Sequence, residues 1–371
     1  MDGLTITDAQ VLRPEGWSDA PISFGTQGIR RAGGRSLSLP GIWVLPGIVD
    51  AHGDGFERHL APRRGAVQDK SKGLAAVEVE LAAHGITTAY LAQFWSWEGG
   101  MRGREFAKEL ALALKDFETP LDLRLQLRVE THLVDDFAEV RALIESASID
   151  YVVFNDHLPH RELAAGKRPP RLTGQALKAG RSPEVHAELL QELHQNASKV
   201  PAAVGALAAD LFAMGVRLGS HDDADAAMRA DWAALGIGIS EFPETLEAAH
   251  GQVVMGAPNL VRGGSHKGNV STQDVIAAGR CDALASDYHY PSLVQGALAL
   301  VERGVCAFQE AWRLVSAGPA DLLGLPDRGT LEDGKRADIV LLNPATGRVE
   351  GTFAGGVPVY LSGSVADAFT A

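Results

Sequence analysis

The sequence predicts an α/β protein in which a (β/α)8 TIM-like barrel carries a small β-sandwich domain formed by both chain ends. Short apolar runs alternate with helical stretches through the middle of the 371 residues. The two ends are different, because strand-forming segments there are separated by Gly and Pro and lack long helical patterns. Alternating strands and helices are typical of a parallel sheet, whereas the chain ends favour antiparallel strands.

The two chain ends predict one small β domain. In residues 1–46, Gly33-Gly34 and Pro40-Gly41 mark turns between short apolar pieces. In the C-terminal tail, strand formers at 338–342 and 357–361 are bounded by Asn343-Pro344 and Gly355-Gly356. We therefore expect residues 1–46 and 335–371 to form the β domain and residues 47–334 to form the barrel.

Eight strands are predicted in the middle of the chain, the number that closes a (β/α)8 barrel. They are Ile48–His52, Thr87–Leu91, Leu123–Glu130, Tyr151–Phe154, Val216–Ser220, Ile237–Glu241, Val253–Met255 and Ala283–Ser286. Helical patterns between them include Gly73–His84 and Ser182–Met214, and Pro201 predicts that the latter is kinked or is two helices. The basic stretch Arg161–Arg181 predicts a long loop, either a lid or a solvated insertion.

Composition limits the classes of function. With 46% hydrophobic residues the chain can bury a large core, and its net charge of -13 opposes binding to nucleic acid or to an anionic membrane. Two cysteines, Cys281 and Cys306, are too few for a disulfide framework. No apolar run approaches the ~20 residues of a membrane span, and the N-terminus lacks signal-peptide features. We expect a cytoplasmic protein with a small-molecule substrate, and the sequence leaves open whether it forms a homo-oligomer.

A metal centre is predicted from residues at the ends of the apolar runs. His52 and Asp54 follow the first run and lie two residues apart, so both side chains point to one face of a strand. Four later runs end at or beside a ligand-type residue: Glu130, His157, His221 and Asp287. Each one alone is more typical of a hydrogen-bonded rim histidine, a salt-bridge partner or a helix N-cap. Their joint occurrence at strand ends favours a shared metal site.

The chain resembles the amidohydrolase superfamily of metal-dependent hydrolases. The first-strand segment 45–52, Gly85-Ile-Thr-Thr88 and the segment 334–342 carry this resemblance. Within the superfamily it is similar to the diphosphatase family of the carbon-phosphorus lyase pathway, which removes diphosphate from α-D-ribose 1-methylphosphonate 5-triphosphate. The matching pieces are His52–His59, Pro62-Arg63, Leu123–Glu130, Asp156-His157, Ser220–Asp223, Ser240–Pro243, Met255–His266, Gly268-Asn269 and Ser286–Tyr288.

The resemblance implies a centre of two divalent metals, zinc first and manganese or iron as alternatives. The implied ligands are His52, Asp54, Glu130, His157, His221 and Asp287. Glu130 bridges the metals, because no Lys stands at a strand end where many relatives have a carboxylated lysine. Asp287 is the implied catalytic residue, which orients the attacking water and accepts its proton.

A triphosphate substrate requires compensation of its negative charge in this acidic protein. The Gly-rich loop 263–269 offers backbone N–H groups, a hydroxyl, an imidazole and a cation, and nearby basic residues offer charge-assisted bonds. The predicted substrate-binding residues are Arg58, His59, Arg63, Arg262, Gly264, Ser265, His266, Lys267 and Asn269.

Three departures from the family pattern leave the substrate open. The chain has Leu158-Pro-His-Arg-Glu162 after His157, Lys267 where a small residue is common, and Tyr288-His-Tyr-Pro291 at the last strand. One alternative is an amidohydrolase acting on a C–N bond of an amide-type substrate, as a deacetylase, cyclic amidase or deaminase. Another is a non-catalytic metal-binding or nucleotide-binding relative.

Other conspicuous side chains predict structural roles. Trp95 and Trp97 are expected to pack a loop against a helix. Four histidines in helical stretches are expected to be surface or packing residues: His84, His186, His194 and His250. Asp222 and Asp223 are candidates for orienting His221 by hydrogen bonding.

Overall fold

A computed structural model describes residues 3–30, 33–63, 66, 69–265 and 268–371. Seven strands come first along this part of the chain. They are β1 (Leu4–Thr7), β2 (Gln10–Arg13), β3 (Gly16–Ser18), β4 (Ile22–Gly25), β5 (Gly28–Arg30), β6 (Arg35–Ser38) and β7 (Trp43–Pro46). Their short lengths reflect the Gly and Pro residues that the sequence places between apolar pieces.

Eight parallel strands form a nearly closed barrel, which confirms the predicted fold class. They are β8 (Ile48–Gly53), β9 (Ile86–Trp95), β10 (Asp122–Glu130), β11 (Tyr151–Asn155), β12 (Arg217–His221), β13 (Ile239–Glu241), β14 (Gln252–Gly256) and β15 (Ala283–Ala285). The order of the strands in this sheet follows the order along the chain. Every residue of β8, β9 and β11 is buried, as expected of strands covered on both faces.

Three more strands follow the barrel, namely β16 (Ile339–Asn343), β17 (Arg348–Ala354) and β18 (Val357–Leu361). They join N-terminal strands in a sheet of order β18-β17-β16-β7-β2-β3, while β5-β4-β1-β6 form a second sheet. Antiparallel pairing of β16 with β7 places Ile339 opposite Pro46. Apolar residues of both sheets, including Phe24 and Phe353, share one buried core. Both chain ends therefore contribute to the additional β structure, as predicted.

The described part of the chain contains helices of varied length between and beyond these strands. They span Glu57–Leu60, Lys70–Ala83, Arg104–Asp116, Phe137–Ser146, His160–Ala164, Leu172–Lys178, Pro183–Gln195, Val200–Ala213, Ala226–Ala234, Ala257–Arg262, Thr272–Ala277, Ser292–Glu302, Phe308–Arg313, Ala317–Leu323 and Gly363–Thr370, with 3-10 turns at Gly100–Arg102, Val134–Asp136 and Ala197–Lys199. None of these helices is both long and apolar enough to cross a membrane.

Two helical predictions have different outcomes. The segment 182–214 is two helices, and Pro201 lies in the first turn of the second, where its missing N–H costs no helical hydrogen bond. The predicted long loop at 161–181 is wrong, because helices lie at both of its ends. Leu163 and Leu172 pack there in an apolar cluster with Trp97. The helices were missed in the sequence because basic residues are more numerous in this segment than these buried apolar ones.

The chain divides into two compact units. The first unit comprises residues 1–91, 117–124 and 252–371, and the second comprises residues 92–116 and 125–251. This division differs from the predicted boundaries of the β domain and the barrel, which remain a prediction. Each unit contains some of the predicted site residues.

Candidate metal centre

In the first unit, main-chain hydrogen bonds join the ends of β8 and β15. His52 is fully buried at the end of β8, Asp54 follows it, and Asp287 comes two residues after β15. The Asp287 N–H donates to the carbonyl of His52 (2.9 Å), and the Asp54 N–H donates to the carbonyl of Asp287 (2.9 Å). These bonds fix the backbones of three predicted metal ligands relative to one another.

Asp287 has a left-handed backbone, with φ of 53°. Only a few per cent of residues other than Gly adopt this conformation, and it is enriched at sites where the surrounding structure holds the backbone against strain. Here the hydrogen bonds to His52 and Asp54 supply that restraint. The hydrogen bonds of the loop therefore fix the backbone conformation that carries the side chain of Asp287.

A buried carboxylate supports the same strand ends. Asp50 accepts hydrogen bonds from the Ser286 N–H (3.0 Å), the Ser286 hydroxyl (2.5 Å) and the His52 N–H (3.3 Å). Burial raises the pKa of Asp50, and the bonds from Ser286 and the charge of His52 oppose that increase. Asp50 therefore connects the end of β15 to the end of β8.

Tyr290 packs beside this group. Its side chain is fully buried, and its hydroxyl has no hydrogen-bond partner among the residues that the structure describes. Burial and the nearby charge of Asp50 raise its pKa well above the usual value. A Cβ atom at Gly53 would lie 2.7 Å from Asp50 Oδ2 and 2.9 Å from Tyr290 Cε1. Gly at this position therefore permits the close packing of the strand end.

The predicted substrate-binding residues Arg58 and His59 lie on the short helix after β8. Both side chains bond to the carboxylate of Glu80, and Arg58 also donates to the carbonyl of Tyr288 (2.9 Å). Burial raises the pKa of Glu80, but the bond to His59 and the charge of Arg58 outweigh it and lower the pKa overall. Arg63 is exposed, and its carbonyl accepts from the N–H of Ala66.

The Gly-rich loop begins where the helix Ala257–Arg262 ends. Gly263 closes that helix in the left-handed conformation, with φ of 80°, and Gly264 has φ of 154°. The side chain of Asn259 accepts from the N–H of Thr272 (3.2 Å), which fixes the far end of the loop. Arg262 is exposed, whereas Gly264, Ser265 and Asn269 are half-buried. The predicted residues His266 and Lys267 lie outside the described residues.

In the second unit, the ends of β10 and β11 meet through Glu130 and His157. Glu130 is fully buried, and its Oε1 atom lies 2.5 Å from His157 Nδ1. Its Oε2 atom accepts from the His157 N–H (3.2 Å) and from the Trp97 indole (3.3 Å). Trp97 is therefore more than a packing residue, because it orients the carboxylate of a predicted ligand.

His221 at the end of β12 lies between a carboxylate and a guanidinium group. Its Nδ1 atom is 3.3 Å from Glu241 Oε2, and its Nε2 atom is 2.8 Å from Arg128 Nη2. Since a guanidinium group only donates, Nε2 accepts and the proton on Nδ1 is donated to Glu241. This arrangement selects one tautomer of neutral His221.

Glu241 and Arg128 are in turn held by further groups. Glu241 is fully buried and accepts from the Gln126 amide (2.7 Å) and the Tyr151 hydroxyl (2.6 Å). Arg128 donates to Asn155 Oδ1 and lies over the ring of Phe94, at 3.9 Å from its centroid. Side chains of β10 to β13 thus form a continuous hydrogen-bonded network that includes His221.

Asp222 completes a group of possible metal-binding atoms. One atom each of His157, His221 and Asp222 lies within 4.8 Å of the other two. Asp222 has φ of 56°, and its Oδ1 atom is 3.7 Å from His221 Nε2. Asp223 instead accepts from Ser220, Ser240 and Arg229, so the bonds that the structure gives its side chain belong to strand packing.

The donor chemistry of these groups fits a divalent metal. Imidazole nitrogen and carboxylate oxygen are the ligand types used for zinc, iron and manganese. Glu130 adds a fully buried carboxylate, a group whose desolvation a cation would offset. The ligand atoms just described all belong to the second unit. In the first unit, the side chains of His52, Asp54 and Asp287 have the same types of donor atom.

Two residues of this network were missed from the sequence. Glu241 ends a predicted strand, as Glu130 does, so the strand-end pattern itself was a usable signal. Arg128 lies within β10, two residues before Glu130, so the two side chains lie on the same face of the strand. That spacing was the only signal in the sequence that Arg128 belongs to the site.

Comparison with known proteins agrees with this architecture. Residues 257–359 match a family model described as Amidohydrolase family. The chain is 32% identical over 315 residues to the alpha-D-ribose 1-methylphosphonate 5-triphosphate diphosphatase of Escherichia coli (strain K12), covering 81% of this chain and 83% of that protein. The chain belongs to the amidohydrolase superfamily. Amidohydrolases use divalent metals, and this one is a hydrolase of that superfamily acting on a small molecule.

Solved amidohydrolase structures share the fold. An N-acetylglucosamine-6-phosphate deacetylase from Pasteurella multocida has a TM-score of 0.63 at 11% identity, covering 96% of this chain and 99% of that one. An atrazine chlorohydrolase from Arthrobacter aurescens TC1, complexed with zinc, has a TM-score of 0.58 at 16% identity and covers 99% and 98%. These similarities support the amidohydrolase fold.

Proposed function

We propose that this amidohydrolase releases diphosphate from α-D-ribose 1-methylphosphonate 5-triphosphate, or from a related phosphorylated compound of phosphonate metabolism. The observation that carries the proposal is the 315-residue match to a diphosphatase of that substrate. The match includes most of the chain, so it spans barrel strands as well as the loops beyond them. We also take the reaction to occur in the cytoplasm.

Six residues are proposed as metal ligands. They are His52, Asp54, Glu130, His157, His221 and Asp287. When bound, two divalent metals, zinc first and manganese or iron as alternatives, lower the pKa of water and stabilise charge on phosphorus oxygens. Glu130 would be the carboxylate that both metals share, since its side chain is fully buried and has two oxygens.

Asp287 acts as the proton acceptor. Its carboxylate orients the attacking water and takes its proton as the bond to phosphorus forms and the bond to diphosphate breaks. The backbone bonds to His52 and Asp54 hold the loop that carries this carboxylate. His221 remains in one tautomer through Glu241, and Trp97 orients Glu130.

Basic side chains and the Gly-rich loop bind the triphosphate. Arg58 and His59 share Glu80, so their bonds to substrate phosphates replace or extend that ion pair. Loop glycines allow backbone N–H groups to approach phosphate oxygens. The proposed set is Arg58, His59, Arg63, Arg262, Gly264, Ser265, His266, Lys267 and Asn269.

The test begins with metal analysis of full-length protein purified without chelator. Release of diphosphate is then measured with ribose 1-methylphosphonate 5-triphosphate, with ATP as the comparison substrate. Bound metal with rapid diphosphate release from the phosphonate compound, and slow release from ATP, supports the proposal. Chelation followed by zinc addition should abolish and then restore this activity.

Two results would replace the proposal. Release of acetate or ammonia from amide substrates, with no diphosphate release, would assign the site to a C–N hydrolase. Tight binding of the triphosphate without turnover under zinc, manganese or iron would assign the chain to non-catalytic binding. An Arg141→Met variant is the control, because this arginine is exposed on the helix Phe137–Ser146 and has no proposed role in the site.

A further inference from the structure

A second group of histidines lies beside the loops after β10 and β11. His132 is buried, whereas Asp156 and His160 are partly exposed. The Asp156 carboxylate is 3.5 Å from His132 Nδ1 and 3.0 Å from His160 Nε2. One ligand atom from each of these three residues lies within 4.8 Å of the other two. The group belongs wholly to the second unit and shares no residue with the proposed catalytic ligands.

A fourth residue, His194, orients the group. His194 lies near the end of the helix Pro183–Gln195, and its Nδ1 atom is 2.9 Å from Nδ1 of His160. When the proton between these two nitrogens is on His160, Nδ1–H donates to His194 and Nε2 presents its lone pair on the other side of the ring. Histidine ligands of metals commonly donate their second ring N–H to a nearby acceptor in this way.

The chemistry of the group matches a transition metal better than it matches calcium or magnesium. Two imidazoles and one carboxylate are ligands typical of zinc, whereas calcium and magnesium prefer sites made of oxygen. Ring centroids are 4.9 Å apart for His132 and His160, and 5.1 Å for His160 and His194. His132 and His160 thus lie beside the Asp156 carboxylate, and His194 lies next to His160.

We propose that His132, Asp156 and His160 form an additional zinc-type metal site, with His194 as a positioning residue. Asp156 and His160 are partly open to solvent, so water would also reach a metal held there. The metal joins the loop after β10, the loop after β11 and the helix His160–Ala164, and His194 links the helix Pro183–Gln195 to His160. Its role is to hold those helices in place.

Metal counting on the full-length chain tests this site. Chelator-treated protein is titrated with zinc, and bound metal is measured after dialysis, together with visible absorption of the cobalt-loaded protein. His160→Gln should bind one equivalent less than the wild-type chain and lose one component of the cobalt spectrum. His194→Leu should keep the stoichiometry but weaken that equivalent about 10- to 100-fold.

Controls separate this site from the proposed catalytic centre and from misfolding. His250→Gln alters an exposed histidine and should bind metal like the wild-type chain. The equivalent removed by His160→Gln should also be removed in a His221→Gln background, where a proposed catalytic ligand is absent. Circular dichroism of the metal-free variants checks folding, and Asp156→Asn provides a second variant. Unchanged stoichiometry and affinity in folded His160→Gln would overturn the proposal.

Discussion

The two units hold their predicted metal ligands in different ways. In the first unit, main-chain hydrogen bonds connect His52, Asp54 and Asp287, so backbone groups fix this loop. In the second unit, side chains hold one another, as His157 does with Glu130 and Arg128 does with His221. A ligand substitution in the first unit should therefore change chemistry and spare folding. A substitution in the second unit should disturb both.

The largest effect is expected from Asp287→Asn. Loss of the proton-accepting carboxylate should lower turnover by about 10²- to 10⁴-fold. The thermal midpoint should change little, because the bonds that fix this loop come from the backbone and Asn tolerates the left-handed conformation. Steady-state kinetics and thermal unfolding of the same preparation measure both quantities. Near-normal turnover would remove the proposed role of Asp287.

Arg128→Met should destabilise the second unit by about 3 kcal/mol. The substitution leaves His221 Nε2 and Asn155 Oδ1 without the guanidinium donor in a buried network. Denaturant unfolding provides the free energy of unfolding. Arg141→Met is the matched control, and as an exposed arginine it should change stability by only about 0.5 kcal/mol. Equal effects of the two substitutions would contradict the network interpretation.

Gly53→Ala tests the close packing of the end of β8 against Asp50 and Tyr290. The added methyl group meets Asp50 Oδ2 at 2.7 Å and Tyr290 Cε1 at 2.9 Å, so we expect a loss of about 2 kcal/mol. Gly174→Ala is the opposite case. A Cβ there has no described atom within 4 Å and the residue is helical, so stability should increase by about 0.5 to 1 kcal/mol. Chemical denaturation of both variants measures whether their changes in the free energy of unfolding have opposite signs.

The smallest effect is a pH dependence in the first unit. Asp122 bonds to Arg124 and Arg328. Burial raises its pKa, but these arginines outweigh burial and lower the pKa overall. A lowered folded pKa stabilises the protein above the unfolded value of about 3.9, and that contribution is lost as pH falls through the folded value.

The stability difference between the wild-type chain and Asp122→Asn should therefore be constant near neutral pH and shrink below about pH 4. Urea unfolding across this range measures the difference. An exposed control, Asp116→Asn, should show a small difference throughout. A wild-type advantage that grows toward low pH would contradict the expected direction.

Much of the fold followed from local patterns in the sequence. Each barrel strand contains a run of buried residues, and β8 and β11 have the predicted extents to within one residue. The candidate ligands were recognisable because strand ends of a parallel barrel carry functional side chains. The structure places the carboxylate of Glu130 against the ring of His157, because β10 and β11 are neighbouring strands. The assignments of the site residues as a whole remain predictions.

Other features depend on contacts that a linear pattern does not contain. Arg58 and His59 were predicted for phosphate binding, but both contact Glu80, which is about twenty positions away. The role of Asp50 in supporting the strand ends could not be predicted from the sequence, since its partner Ser286 is 236 positions away. The helices within 161–181 were missed because their stability depends on packing against Trp97 and Leu190 rather than on helical periodicity.

Pairing between the chain ends has a consequence for synthesis on the ribosome. Strand β7 ends at Pro46 and its partner β16 begins at Ile339, so the 292 residues from 47 to 338 are translated between them. At about 5 to 20 residues per second, this interval lasts roughly 15 to 60 s. During that time the apolar surface of β7 lacks one of its two neighbouring strands. Nascent chains halted before residue 339 should therefore bind chaperones more strongly than the completed chain.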